Sequence, residues 1–409
     1  MSFIVKQFLT KLLNPQNLIY LAFISVFLHY AITSVVIIVL GLCLLLNKNS
    51  FKKVFSFNGK VFYIAFFAFT LIVALINKNY LGAICSCAFF FLIAISYYTR
   101  SVITEKTFEN CLDICCFAAI PLGVGAAIEK LLCYPGGEGS HFGWFFGITY
   151  RSQLWFFNPN YFCSIMAAII IICAFKATAH KRDVFIYYLC AAFAAVGLYL
   201  GGSLFAIVEV FVGLCILLIL RRKHLFLAVF LFAVGLSIIL IFFIPNLLPR
   251  LSESAHTTDL RVAIWDDSLN LIKQNPLFGK GFLTYYYEFI NNPGTLYETT
   301  HAHNFLLEGL LSFGVIGSIL LLLLVWSFFE KIAECKELLR TNCATTLILT
   351  MSAAMLIHTT TDLTILWVHT GLLYMLIFGG VGIDEKALRK RLLACVQKKD
   401  QPTDTKTEN

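Results

Sequence analysis

Two side chains in this sequence have the types and positions to do chemistry together: Arg261 and His303, near the two ends of a polar interval running from Arg250 to Asn304 between long apolar runs. The planar donors of an arginine bind two oxygens at once, which suits a phosphate or pyrophosphate. Arg261 is expected to open a helix whose N-terminus itself favours anions. His303 closes the interval in His301-Ala302-His303-Asn304, at the mouth of the next apolar run. An imidazole of pKa near 6.5 accepts a proton at neutral pH. His301 is a second candidate. Plainer roles stand beside these. Arg261 could snorkel or pair with Asp266 or Asp267, and His303 could simply hydrogen-bond its neighbours at a helix entry.

The elements that must position these groups are apolar. Of the 409 residues 59% are hydrophobic and only 13% charged, with a mean hydropathy of +0.82. Soluble domains sit nearer half apolar and a quarter charged. Runs of about 20 apolar residues, enough to cross a bilayer, recur along the chain. Lipid offers backbone groups no partner, so spans must be helices or closed barrels, and runs such as 225–243 lack the period-2 alternation of a barrel. The expected fold is an all-α polytopic membrane protein of about twelve spans. They fall near Leu18, Ile32, Val61, Leu81, Cys111–Leu132, Tyr161–Phe175, Val184, Leu204, Leu225, Phe305, Thr345 and Leu363.

Charge placement gives the orientation. The net charge of +8 lies in short clusters between apolar runs, which reads as topology and not as nucleic-acid binding. With a cytoplasmic N-terminus and alternating sides, only Lys78, Lys130, Arg151, Arg250, Arg261, Lys273 and Lys280 of the 31 basic residues fall outside. Both termini are then cytoplasmic, with no cleavable signal peptide evident. Residues 1–244 form N-terminal spans, 245–303 a large extracytoplasmic catalytic loop, 304–383 C-terminal spans and 384–409 a disordered cytoplasmic tail. The fourteen cysteines lie almost entirely in apolar runs without companion histidines, so they read as small hydrophobes, and neither a metal nor any other cofactor is expected.

Within the loop, Leu260–Gln274 patterns as a helix, with Leu260, Ile264, Leu271 and Ile272 on one side and Asp266 and Asp267 on the other. Asn275-Pro276 ends it. Leu277-Phe278-Gly279-Lys280-Gly281 follows as a turn, and Tyr285-Tyr286-Tyr287 suits a second short helix at the membrane interface.

Three segments carry a family resemblance. They are Arg261-x-x-x-Trp265, Asn275-Pro276-Leu277-Phe278-Gly279-x-Gly281 and His303-Asn304-x-x-Leu307-x-x-x-x-x-Phe313-Gly314-x-x-Gly317. Together they resemble the signature of the O-antigen ligase and polymerase superfamily. Arg151 followed by Phe157-Asn158-Pro159-Asn160 is similar to that family's other outward segment, and His358-x-x-x-Asp362 is a looser match. The resemblance covers roughly residues 150–380. It implies a metal-independent, inverting glycosyltransferase of GT-C-like architecture at the outer face of the bacterial cytoplasmic membrane. Its donor would be a glycan on undecaprenyl pyrophosphate, and its acceptor a hydroxyl of a glycan or glycolipid.

On that resemblance Arg261 would hold the pyrophosphate and His303 would take the acceptor proton. Arg151, His301, Asn304 and Asp362 would help to bind substrate. The family often carries an arginine where this chain reads Gly201-Gly202-Ser203-Leu204-Phe205. Arg151, Arg250 or Lys78 is expected to replace it. Two other classes fit the membrane composition. A flippase for lipid-linked oligosaccharide should carry mid-membrane ionisable residues, of which Glu209 is a candidate, together with inverted repeats, which are not apparent. A non-catalytic scaffold would tolerate replacement of His303.

Overall fold

The computed structural model describes residues 14–57, 59–133, 150–179, 182–244, 254–338 and 343–399. Among these the chain is helical, with no strand. In order the helices are α1 (Pro15–Ser25), α2 (Tyr30–Leu46), α3 (Lys48–Val54), α4 (Lys60–Ile76), α5 (Tyr80–Val102), α6 (Glu105–Leu132), α7 (Pro159–Ala179) and α8 (Val184–Gly201). There follow α9 (Leu204–Leu220), α10 (His224–Phe243), α11 (Ser254–Gln274), α12 (Thr284–Asn291), α13 (Phe305–Glu334), α14 (Ala344–His358), α15 (Val368–Gly379) and α16 (Val381–Lys399).

Side-chain caps set many of the boundaries. Asn14, Asn79, Thr104 and Asn304 each accept a hydrogen bond from a backbone N–H of the first turn. Asn14 is followed by Pro15, whose missing N–H costs nothing at that position.

A helix lies at each of the twelve expected positions, but twelve spans do not follow. Among the described residues six helices, α5, α6, α7, α8, α10 and α13, are long and apolar enough to cross a membrane, or seven if the bent pair α2–α3 is one span. The helices α4, α9 and α14 are apolar but shorter. At 1.5 Å per residue, 15 to 17 residues reach only about 22–26 Å, short of a hydrocarbon core of about 30 Å. Helix α1, with 11 residues, and α15, with 12, are shorter still.

Helix α7 is the centre of the bundle, buried over most of its length against α6, α8, α9, α14 and α15. At the other extreme α10 buries no side chain and exposes Leu225, Phe226, Phe232 and Phe242. In water such a surface would be untenable, while lipid covers it.

The interval 254–303 is not a free loop. Ile264 of α11 packs with Tyr285, Ala302 and Leu311, and Leu271 and Ile272 close the cluster. The main core gathers residues from Ile19 to Val381 and includes Phe282 and Phe313. Of the expected tail, 384–399 continue α16, where the Asp384 carboxylate accepts from the Thr345 backbone N–H (2.6 Å) and Glu385 pairs with Arg100, and 400–409 lie outside the described residues.

Gly279 and Gly314 each lie against the backbone of the other's segment. Helix α13 is broken at Gly314 (φ 60°, ψ −169°). Its freed donors are taken by the turn, Val315 N–H donating to the Pro276 carbonyl (2.9 Å) and Ile316 N–H to that of Leu277 (3.1 Å). Gly281 N–H donates to the Ser312 carbonyl (2.8 Å) in return. A Cβ on Gly314 would lie 2.3 Å from the Leu277 backbone, and one on Gly279 2.5 Å from that of Ser312. Both positions have positive φ, so glycine is required twice over.

Candidate functional site

The break in α13 fixes the angle at which its N-terminus meets the α14–α15 connection. Asn304 caps α13, accepting from Leu306 N–H (2.9 Å) and Leu307 N–H (3.2 Å), while its amide donates to the Thr360 carbonyl (3.2 Å). Phe305 N–H donates to the Thr359 carbonyl (3.0 Å). These bonds bring His301 and His303 to Asp362, 3.4 Å from His301 Nε2 and from His303 Nδ1 to the same Oδ1. Burial first, then the neighbouring charges of His303 and Arg261, pull the pKa of His301 down to about 4. Burial alone would raise the Asp362 carboxyl, but the imidazoles of His303, His301 and His358 hold it below the usual carboxylate range.

His303 is less buried than its partners, its side chain 22% exposed, and its backbone is left-handed (φ 51°). A non-glycine residue held there is strained by roughly 1–3 kcal/mol, which is common where a side chain must be aimed. Its Nε2 lies 3.0 Å from the Thr299 hydroxyl, and the His303 N–H donates to His301 Nδ1 (3.1 Å).

Arg151 arrives from the opposite side. Tyr150 O–H donates to Glu129 (2.8 Å), which also accepts the backbone N–H groups of Gln153 (3.0 Å) and Leu154 (2.9 Å), so the end of α6 clamps this segment. Arg151 Nε donates to the Gly201 carbonyl (2.8 Å) and Nη2 to Asn160 Oδ1 (2.7 Å). Asn160 Nδ2 then donates to Asp362 Oδ2 (2.5 Å), so a continuous chain links the arginine to the carboxylate that holds both histidines.

These groups border one cavity of about 60 Å³ lined by Arg151, Asn160, Gly202–Phe205, Thr258, Arg261, His358 and Asp362. The Arg261 guanidinium stands over the Phe205 ring at 5.8 Å. Helix α11 starts at Ser254, not near Leu260, so Arg261 lies about two turns inside it and the helix N-terminus is not beside the guanidinium. The extra turns begin in Ser254-Ala255-His256, which carries no apolar periodicity.

Of the residues expected at the site, Arg151, Arg261 and Asp362 line the cavity, while His301, His303 and Asn304 attach to it through the 359–362 segment. Lys78 does not line it. It sits exposed at the α4–α5 corner, beside the Asn79 that holds the Lys280 and Phe282 carbonyls. Arg250 lies outside the described residues.

The sequence reading gave no role to a buried network beside the cavity. Glu209 of α9 accepts from Tyr374 O–H (2.6 Å) and Ser164 O–H (3.2 Å), and meets His358 Nδ1 at 2.6 Å. All four residues are at most 1% exposed, and His358 Nε2 has no hydrogen-bond partner. The one usable signal was the four-residue spacing of His358 and Asp362. His301, His303 and Asp362 also bring one ligand atom each to within 4.8 Å of one another, a donor set that could accept a divalent cation.

Residues 189–322 match the family model described as O-antigen ligase. That segment contains α11, Arg261 and His303, and the match supports placing the chain in the O-antigen ligase and polymerase superfamily. No curated protein matches the chain.

Proposed function

We propose that this protein is a membrane glycosyltransferase of surface-polysaccharide assembly, moving a glycan from undecaprenyl pyrophosphate to an acceptor hydroxyl on the extracytoplasmic face. The observation that carries the reading is a single cavity bordered by Arg261 and Arg151, with His303 attached to it through Asp362. The O-antigen ligase match over 189–322 supports the same class.

In the proposed step the acceptor oxygen attacks the anomeric carbon from the face opposite the pyrophosphate. The new C–O bond forms as the bond to the diphosphate oxygen breaks, inverting the centre and releasing undecaprenyl pyrophosphate. Charge grows on that leaving group, and cations fixed beforehand stabilise it most. Arg261 supplies one. Arg151 supplies the second, because its guanidinium lies against Gly201 and Gly202, where the family often has its own arginine.

The acceptor proton goes to His303. His303 Nδ1 lies 3.4 Å from Asp362 Oδ1, and a proton placed on Nδ1 leaves Nε2 as the basic nitrogen, 3.0 Å from the Thr299 hydroxyl. The buried Asp362 carboxylate then stabilises the imidazolium that forms.

The test is to incubate purified protein with lipid-linked repeat units, with and without a separate acceptor glycolipid. A ladder without added acceptor means polymerase, and product only with acceptor means ligase. No product under either condition, with measured movement of the lipid between leaflets, would sink the enzyme reading in favour of a flippase.

A further inference from the structure

A second cavity lies at the far end of α13 from the candidate site. It measures about 340 Å³, within the range of ligand pockets. Asn304 and Lys331 are separated by about 40 Å along the helix at 1.5 Å per residue. Lys53, Arg100, Lys331, Lys386 and Arg389 line this cavity, with Glu385 the one carboxylate among the described lining residues.

That carboxylate is already engaged. Arg100 Nε donates to Glu385 Oε2 at 2.9 Å, and the second guanidinium nitrogen pairs with the other oxygen. Lys331 meets Glu334, which is not part of the lining (2.5 Å). Lys53 stands over the Tyr98 ring at 5.8 Å, and Lys386 donates to the Ile103 carbonyl (3.0 Å). Basic residues flank membrane helices in any cytoplasmic loop. What a topology signal does not require is that five cations from four separate segments converge on one concave space with a single, occupied carboxylate. Like charges gathered in this way repel unless an anion sits among them. The wall is built rather than loose. Phe57 stacks on Tyr97, and a Cβ on Gly59 would collide with Ser327.

We propose that this cavity binds a phosphate-bearing anion, its position at a helix-bundle end favouring the phosphodiester head of an anionic phospholipid. The aromatic side formed by Phe57 and Tyr97 would meet the glycerol region, and the lysines and Arg389 the phosphate.

The test uses the full chain in neutral detergent, titrated separately with short-chain phosphatidylglycerol, short-chain phosphatidylcholine and inorganic pyrophosphate, with Tm as readout. Phosphatidylglycerol should raise Tm saturably while phosphatidylcholine does not. The triple variant Lys53→Gln, Lys386→Gln, Arg389→Gln should need at least tenfold more lipid. An equal loss of charge outside the cavity, Lys52→Gln, Lys390→Gln, Arg391→Gln, should change the requirement less than twofold. If the triple variant does not fold, Lys386→Gln alone should still shift half-saturation severalfold. Saturable stabilisation by pyrophosphate alone, lost in the cavity variant, supports the same site filled from solution. Equal losses in the two triple variants, or no response to any anion, overturn the proposal.

Discussion

The two ends of this helical bundle differ in how many cations face one space and how large that space is. At the candidate site each described cation is fixed by neighbours. Arg151 is held by Gly201 and Asn160, Arg261 stands over Phe205, and the histidines converge on one buried carboxylate. The space left is about 60 Å³. At the other end five cations surround about 340 Å³ with one carboxylate among them. A site that must stabilise charge appearing only during a reaction benefits from groups held beforehand. A site with standing excess charge suits an anion that is already there.

Substitutions should separate the two ends, the largest effects falling at the first. Replacing His303 with alanine should cut turnover by about 10²–10⁴-fold with the fold retained, checked by single-turnover assays beside a melting curve. Arg261→Ala should cost about 10²–10³-fold, and Arg261→Lys should restore little, because an ammonium cannot bind two oxygens in a plane. If lysine restored full activity, the bidentate role would be wrong.

Glu209→Gln should lower turnover by about tenfold and shift its pH profile, while a purely structural Glu209 would lower Tm and leave the profile alone.

Stability should also depend on pH at the site end. His301 is held near pKa 4 in the folded chain against 6.5 for the free side chain. The unfolded chain therefore binds more protons between those values. This contribution is complete above about 6.5 and falls as pH drops toward about 4. Thermal melts across that window should flatten in His301→Gln.

The smallest expected effect is chelation. Stripping divalent cations with EDTA should leave transfer unchanged if arginines carry the leaving-group charge, whereas loss and rescue by one metal would assign the His301–His303–Asp362 cluster to that metal. The cationic-cavity triple should likewise leave turnover in neutral detergent unchanged.

Much of the fold was legible because lipid and burial impose long apolar runs, and each of the twelve expected positions carries a helix. Their number as spans was not, since run length along a sequence does not reveal where a helix stops, and Lys60–Ile76, Leu204–Leu220 and Ala344–His358 end short of span length. The helical tail beyond Asp384 escaped notice for a related reason. Its anchors, Thr345 and Arg100, are remote in sequence. Arg261, His303 and Asp362 stood out by type and position, but the contacts that join Asp362 to both histidines, and Glu209 to His358, did not. Asn160, Asp362 and Glu209 come from three separate helices or connections, and nothing local marks a carboxylate as the partner of an imidazole 59 residues away.

By itself the sequence determined a helical membrane protein and a polar interval with a cation and an imidazole, while the meeting of the Gly279 and Gly314 segments came only with the structure. Apolar period and charge placement are local properties. Only the tertiary structure decided that Arg151 stands where Gly201 and Gly202 leave room, that Asp362 gathers both histidines, and that five scattered basic residues border one cavity. Those arrangements depend on which helix ends meet, and packing fixes that across the whole chain.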